Sequence, residues 1–157
     1  MKKKILFSIF IIFLLINNCG FKIVNNSEIY KFDVNEIIAT GDNKINFKIK
    51  NKLIFSSKKN EKKLVDIYLD TNKSKEVKEK NSNNEITKYQ ISIASTIRVI
   101  ELVSENEIFF SILKTGDYSV ASQYSQTLAN EKKLIDVLTD DVTENILNTI
   151  VLKLDDL

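Results

Sequence analysis

The chain has 157 residues, the length of one domain, with 43% apolar and 28% charged residues and a formal net charge of +2. It contains no histidine, one cysteine and three scattered glycines, which excludes histidine-dependent catalysis and metal binding, a disulfide framework, a cysteine zinc site and a glycine-rich phosphate loop. A charge this close to zero provides no strong positive field for phosphate backbones, so we expect no nucleic-acid partner.

The first eighteen residues have the pattern of a secretory signal peptide. Three lysines follow Met1, and residues 5–16 are apolar except for Ser8. Twelve residues are too few for a membrane-spanning helix, which needs about 20. We therefore predict that residues 1–18 are a signal peptide and that residues 19–31 form a tether to a domain over 32–157.

The only cysteine, Cys19, lies directly after this segment, and residues 15–20 resemble a bacterial lipobox. The resemblance implies that cleavage exposes Cys19, which then carries diacylglyceryl and N-acyl chains; no other cofactor is expected. Several acyl chains give stable membrane anchoring, whereas one alone is marginal. Gly20, where inner-membrane lipoproteins often carry Asp, favours the outer membrane. The alternative is a core cysteine beside a conventional cleavage site.

After the tether, the pattern predicts a strand, a helix and a second strand. Their expected bounds are 32–39, about 45–56 and 64–71. Ile45, Phe47 and Ile49 also alternate, so the start of a strand is the alternative to the helix. Asn43 follows turn residues and could cap the helix, while Val65, Ile67 and Leu69 alternate with polar residues as in a half-buried strand. Residues 73–84 are almost entirely polar, which indicates a mobile hairpin end or a loop.

Two more strands and a long helix complete the expected fold. Residues 85–102 alternate more clearly than any other stretch, with an apolar face and a more polar face that includes Arg98. A strand over 108–120 should bulge or bend at Gly116. From Gln126 to Lys153 the period becomes that of an amphipathic helix, whose expected apolar stripe is Leu128, Ile135, Leu138, Val142, Ile146 and Ile150.

The order strand, helix, three strands, helix predicts an α+β two-layer sandwich, with a four-stranded sheet and both helices on one face. Because a helix separates the first two strands, a crossover could make them parallel, and the sheet would then be mixed. The opposite face of the sheet would be open or covered by a partner.

Two kinds of candidate catalytic pattern have simpler interpretations. Ser-x-x-Lys occurs at Ser56/Lys59 and Ser111/Lys114, as in serine–lysine nucleophiles. The chain contains 22 lysines, so about two such pairs are expected by chance. An acidic cluster at 140–144 is interpreted as a solvated helix face. We therefore expect no enzyme activity.

Five basic residues are candidate contacts for the phosphates of lipopolysaccharide or of other lipids. They are Arg98, Lys58, Lys59, Lys62 and Lys63. Arg98 is the only arginine, and a guanidinium can bind a phosphate with two hydrogen bonds. A cross-strand ion pair is its alternative. The lysines could contact anionic headgroups, or they could form a solvated loop.

Two segments carry a resemblance to the LPS-assembly lipoprotein family (LptE-like). Cys19-Gly20-Phe21 is similar to the start of mature members of alphaproteobacterial type. Residues 116–125 (GDYSVASQYS) and 127–132 (TLANEK) are similar to a segment that precedes their long C-terminal helix. The proline usual after the start is absent here, and Ile23 stands near its place.

The resemblance implies a non-catalytic lipoprotein on the periplasmic face of the outer membrane. Its partners would be a large β-barrel, the LPS-assembly protein, and lipopolysaccharide. Inside the barrel it would act as a plug and assembly factor. A plug needs a polar contact surface, so we expect the barrel or the lipid to meet the less apolar strand face, with Gln90, Ser92, Thr96 and Arg98, and the polar segment 73–84. The alternatives are an auxiliary lipoprotein of an ABC-type lipid-transport system and an enzyme of unrecognised chemistry.

Overall fold

The structure is a computed structural model that describes residues 32–57, 59 and 63–156. The predicted signal peptide (1–18), the tether (19–31) with Cys19, and Lys58 and Lys62 lie outside the described residues.

Six elements follow one another in the predicted order. They are β1 (Asp33–Gly41), α1 (Asn43–Ser56), β2 (Leu64–Lys80), β3 (Ile86–Glu101), β4 (Glu107–Ser119) and α2 (Tyr124–Asp155). The strands form one sheet in the order β1-β2-β3-β4. β1 pairs with β2 in parallel through the α1 crossover, and the other two pairs are antiparallel. The α+β fold with a mixed four-stranded sheet is thus confirmed.

A tight turn joins β1 to α1. Gly41 has a φ of +92°, and a Cβ at this position would lie 1.9 Å from the carbonyl oxygen of Thr71, so only glycine fits. The next residue, Asp42, rather than Asn43, caps the helix, because its side chain accepts hydrogen bonds from the backbone N–H groups of Lys44 and Ile45. This turn therefore fixes where α1 leaves the sheet.

The hairpin of β2 and β3 extends farther than the sequence pattern indicates. The segment expected to be a loop continues β2 to Lys80, although every residue from 72 to 80 is exposed. Pairing with β3 holds it, with Lys75 opposite Ile91. The hairpin closes at Asn81, whose side chain accepts from two backbone N–H groups, and at Asn84, which has a positive φ of 64°.

The bulge predicted at Gly116 is wrong. β4 pairs with β3 without a register shift from Glu107 to Ser119. The glycine is required by packing instead, because a Cβ there would lie 2.7 Å from Cδ1 of Leu134 in α2. Gly116 therefore lets the long helix approach β4 closely.

Both helices cover the same face of the sheet, and the core lies between the two layers. From β2 and β3 it receives alternating residues such as Ile67, Leu69, Ile93 and Ile97. From α2 it receives Leu138, Val142, Ile146 and Ile150, as predicted. Ile135 is half-buried and Leu128 is exposed.

Leu128 departs from the predicted stripe because of where α1 begins. Lys48 and Lys52 of α1 form ion pairs with Asp136 and Asp140 of α2, so the two helices run in the same direction. The first turns of α2 therefore lie near and beyond the start of α1, and Leu128 remains exposed there.

The α2 stripe provides the first testable prediction. Leu138→Ala and Ile146→Ala should each lower the free energy of unfolding by about 2–5 kcal/mol, because both side chains are buried against the sheet. Val137→Ala, an exposed position on the same helix, is the matched control and should change it by about 0.5 kcal/mol or less. Urea denaturation measures all three. Equal effects at positions 137 and 138 would contradict the packing described.

Candidate functional site

The face of the sheet opposite the helices is a candidate binding surface, and one row of side chains crosses it completely. Strand register places Ile38, Tyr68, Arg98 and Phe109 side by side on β1, β2, β3 and β4. We call this row, with its neighbours on the same face, the open sheet face. It brings the only arginine of the chain between two aromatic rings.

Arg98 is held by two contacts on this face. Its guanidinium carbon lies 4.7 Å from the centre of the Tyr68 ring, and its Nε lies 3.3 Å from a carboxylate oxygen of Glu107. The cross-strand ion pair given as the alternative for Arg98 is therefore present. The side chain remains half-exposed, and the terminal nitrogens of a guanidinium carry further N–H donors. A phosphate contact at Arg98 stays a prediction.

The β1 edge of the open sheet face is polar. Asn35 donates to Asp66 over 2.8 Å, and Thr40 donates to Asp70 over 2.7 Å. A shallow groove runs beside these pairs. It is lined by Ile38, Thr40, Tyr68, Leu69, Asp70, Thr96 and Arg98.

The β4 side of the same face carries two large exposed apolar residues among polar ones. The predicted polar residues Gln90, Ser92 and Thr96 do lie on the open face, but Phe109 and Leu113 are exposed beside them. The face thus combines large apolar side chains with hydrogen-bonding groups. A surface of this kind suits a protein wall or an amphiphilic lipid better than a small polar substrate.

Of the four lysines near the start of β2, the structure describes Lys59 and Lys63. Lys63 donates a hydrogen bond to the carbonyl oxygen of Leu154, in the last turn of α2. This cation at a helix C-terminus stabilises the helix. Lys59 is exposed. Contact of these two residues with lipid phosphate stays a prediction.

A second polar cluster joins the hairpin to α2. Lys75 lies 2.7 Å from the Glu131 carboxylate, which also accepts a hydrogen bond from the Tyr118 hydroxyl over 2.8 Å. Tyr118 stacks on Tyr89 with ring centres 5.6 Å apart, and the Lys75 ammonium lies 4.4 Å from the Tyr89 ring centre. We call these four residues the hairpin latch.

Electrostatics make the hairpin latch a stable ion pair rather than a reactive site. The hydrogen bond from Lys75 lowers the pKa of Glu131, against the opposing effect of burial. Burial acts to lower the pKa of Lys75, but its hydrogen bonds with Glu131 and Tyr118 outweigh this and raise that pKa. Burial raises the pKa of Tyr118. At neutral pH these shifts keep both charges and the phenol in their ordinary forms.

The hairpin latch explains part of the sequence resemblance in physical terms. Tyr118 and Glu131 belong to the two similar segments, and their side chains are hydrogen-bonded to each other. Gly116, from the first of these segments, admits Leu134 of α2. The resembling residues therefore dock β4 on the long helix.

A groove between α1 and α2 is the third candidate. It is lined by residues of both helices, including Ile45, Leu128 and Ile135, and several of its charged groups form ion pairs with one another. Lys48 pairs with Asp136, and Lys73 lies 3.2 Å from Asp42. Because a ligand would have to displace these ion pairs, the groove is a weaker candidate than the open sheet face.

Several other chemistries find no support in the described part of the chain. No group of three or more acidic or cysteine side chains over 32–57, 59 and 63–156 could hold a metal ion. None of the described helices is both long and apolar enough to cross a membrane. Ser111 and Lys114 lie on opposite faces of β4, so they form no dyad.

Comparison with solved structures shows that the fold recurs in bacterial lipoproteins. Rare lipoprotein B from Shewanella oneidensis superimposes with a TM-score of 0.61 at 11% identity, over 78% of this chain and 98% of that one. A minor lipoprotein from Acinetobacter baumannii gives 0.51 at 14% identity, over 80% and 95%. Lipoprotein B from Nitrosomonas europaea gives 0.51 at 11% identity, over 81% and 88%.

No protein-family profile matches the chain, and no curated protein matches it by sequence. At 10–14% identity the structural matches show a common fold. This fold spans nearly the whole of each of those lipoprotein chains.

The hairpin latch yields a prediction about pH. Glu131→Gln should lower the free energy of unfolding at pH 7 by about 1–2 kcal/mol, because it removes the charge that pairs with Lys75. The pKa of Glu131 is lowered from the ordinary 4.5, so its contribution is present above that value and disappears as pH falls through the lower, folded-state pKa. In urea denaturation, the difference in the free energy of unfolding between wild type and variant should be smaller at pH 3 than at pH 7.

Glu144→Gln, at an exposed position on α2, is the control and should have little effect at either pH. A difference for Glu131→Gln that persists undiminished at pH 3 would mean that the ion pair does not carry the stabilisation.

Proposed function

We propose that this chain is a lipoprotein of the outer membrane, acylated at Cys19, that acts as the plug and assembly subunit of a lipopolysaccharide-exporting β-barrel. The protein has no turnover of its own in this proposal. The open sheet face contacts the barrel wall or the transported lipid, and the helix-covered face supplies the core.

The observation that carries the proposal is the fold held in common with rare and minor lipoproteins over 88–98% of their chains. It agrees with the lipobox-like sequence around Cys19 and with the LptE-like resemblance of residues 116–132. The fold and two segments of the sequence thus favour one class of protein.

The composition of the open sheet face also supports the proposal. The lumen of a transmembrane barrel is polar, so a plug needs hydrogen-bonding and charged groups on its contact surface. The pairs Asn35–Asp66 and Thr40–Asp70 provide them at one edge. Exposed Phe109 and Leu113 on β4 can pack against a protein wall or an acyl chain.

Depletion of the protein in its own cells tests the proposal directly. The expected result is a misassembled barrel partner and lipopolysaccharide retained inside the cell. Outer-membrane fractionation and surface labelling of lipopolysaccharide provide the readouts. Unchanged barrel assembly and surface lipopolysaccharide would refute the proposal, and capture of an ABC-type transporter instead of a barrel would favour the auxiliary-lipoprotein alternative.

A pair of variants separates a binding role of Arg98 from a structural one. Arg98→Gln should weaken binding of lipopolysaccharide to the purified protein by about tenfold, the effect of losing one charge-assisted contact of roughly 1.4 kcal/mol. Glu107→Gln breaks the same ion pair but leaves the guanidinium in place, so it is the matched control and should retain binding. Equal losses in the two variants would show that Arg98 acts only through its ion pair.

A further inference from the structure

We infer that one end of the domain rests directly on the phospholipid surface in which the proposed Cys19 anchor is embedded. We call it the anchor-side end: the C-terminal turns of α1 and α2, the β3–β4 turn (102–106) and the start of β1. The inference rests on the proposed acylation of Cys19 but is independent of the barrel partner.

Topology brings these segments to one end of the sheet. β1 starts beside β2, with Asp33 opposite Leu64, and the backbone N–H of Leu102 donates to the carbonyl oxygen of Leu64. Lys63 contacts the carbonyl oxygen of Leu154 near the end of α2. α1 begins where β1 finishes and returns toward the start of β2, so it ends on this side as well.

The anchor-side end exposes large apolar side chains. Phe55 at the end of α1 is 91% exposed, the highest value among the large hydrophobic residues that the structure describes. Val103 in the β3–β4 turn is 76% exposed. Also exposed at this end are Ile54, Leu102 and Leu152. Five exposed large apolar side chains on segments at one end of a small domain indicate a surface that is covered in use.

The chain that leads to the anchor reaches the domain at the same end. Residues 19–31 precede Phe32, which is buried in the core at the start of β1. Thirteen residues span at most about 45 Å, so the tether keeps the anchor-side end within reach of the bilayer without itself forcing contact. Apolar side chains that enter the headgroup region would provide that contact.

The charges at this end favour an apolar contact over an electrostatic one. Among the residues of this end that the structure describes, exposed Lys59 and Lys153 are offset by exposed Glu105, Asp155 and Asp156. A surface with this balance gains little from anionic lipid. The contact should therefore persist in zwitterionic vesicles and depend little on salt.

Site-directed spin labelling of the full acylated protein tests the inference. Once Cys19 is acylated, an introduced cysteine is the only free thiol of the chain. Phe55→Cys and Val103→Cys, labelled and reconstituted in phosphatidylethanolamine–phosphatidylglycerol vesicles, should gain accessibility to oxygen and lose accessibility to a water-soluble nickel complex. Both changes should be at least twofold relative to the control sites.

Two controls match the test sites. Phe47→Cys replaces another exposed phenylalanine of α1, about 12 Å farther along the helix axis from the anchor-side end. Tyr124→Cys replaces an aromatic residue at the opposite end of α2 that is as exposed as Val103. Both labels should remain in water. The accessibilities of all four labels should also be unchanged in about 0.5 M salt, which screens charges more strongly than the roughly 0.1 M at which the Debye length is about 10 Å.

Each other outcome overturns the inference in a distinguishable way. Acylated protein with all four labels in water refutes the membrane contact alone. Protection of Phe55 and Val103 that appears only with added barrel protein, or only at high protein concentration, assigns this end to a partner or to a second copy. Mass spectrometry that finds Cys19 unmodified removes the anchor and the inference together. Failure of barrel capture with the labels in the bilayer refutes the proposed function and leaves the inference standing.

Discussion

Packing of α2 against one face of the sheet is the interaction on which the rest of the structure depends. Its buried stripe, including Val142 and Ile146, covers β3 and β4, and Gly116 removes the Cβ that would hold the helix away. Because both helices occupy this face, the opposite face is left open along all four strands. The position of the candidate site, including Arg98, follows from that asymmetry.

The same packing orients the molecule. α1 and α2 run in the same direction, so their C-terminal ends, the β3–β4 turn and the start of β1 lie together. The hairpin latch, centred on Glu131, fixes the opposite end, where β2 and β3 extend past β1. With the proposed tether at one end and a long hairpin at the other, the domain would have a defined axis relative to a membrane. This axis suits a protein that must be positioned beside or within a larger assembly.

Period-two alternation over 86–101 predicted both faces of β3 correctly, including the side on which Arg98 lies. The outer half of β2 could not be predicted, because its residues are exposed on both faces and only pairing with β3 makes them a strand. Gly116 was misinterpreted as a bulge, since a sequence does not reveal which helix approaches it. The position of Phe109 beside Arg98 on the open sheet face depends on how β4 is aligned with β3. The hairpin latch pairs Lys75 with Glu131, and local sequence patterns do not reveal a contact between residues 56 positions apart.

Site-specific photo-crosslinking in intact cells tests the central claim, that the open sheet face meets a barrel. A photoreactive residue at Phe109 should form a crosslink to a large outer-membrane β-barrel, because this exposed ring lies in the row beside Arg98. The same residue at Val137, exposed on the helix side, should form none. Crosslinks to a barrel from Val137 but not from Phe109, or crosslinks from Phe109 to an ABC transporter, would contradict the account.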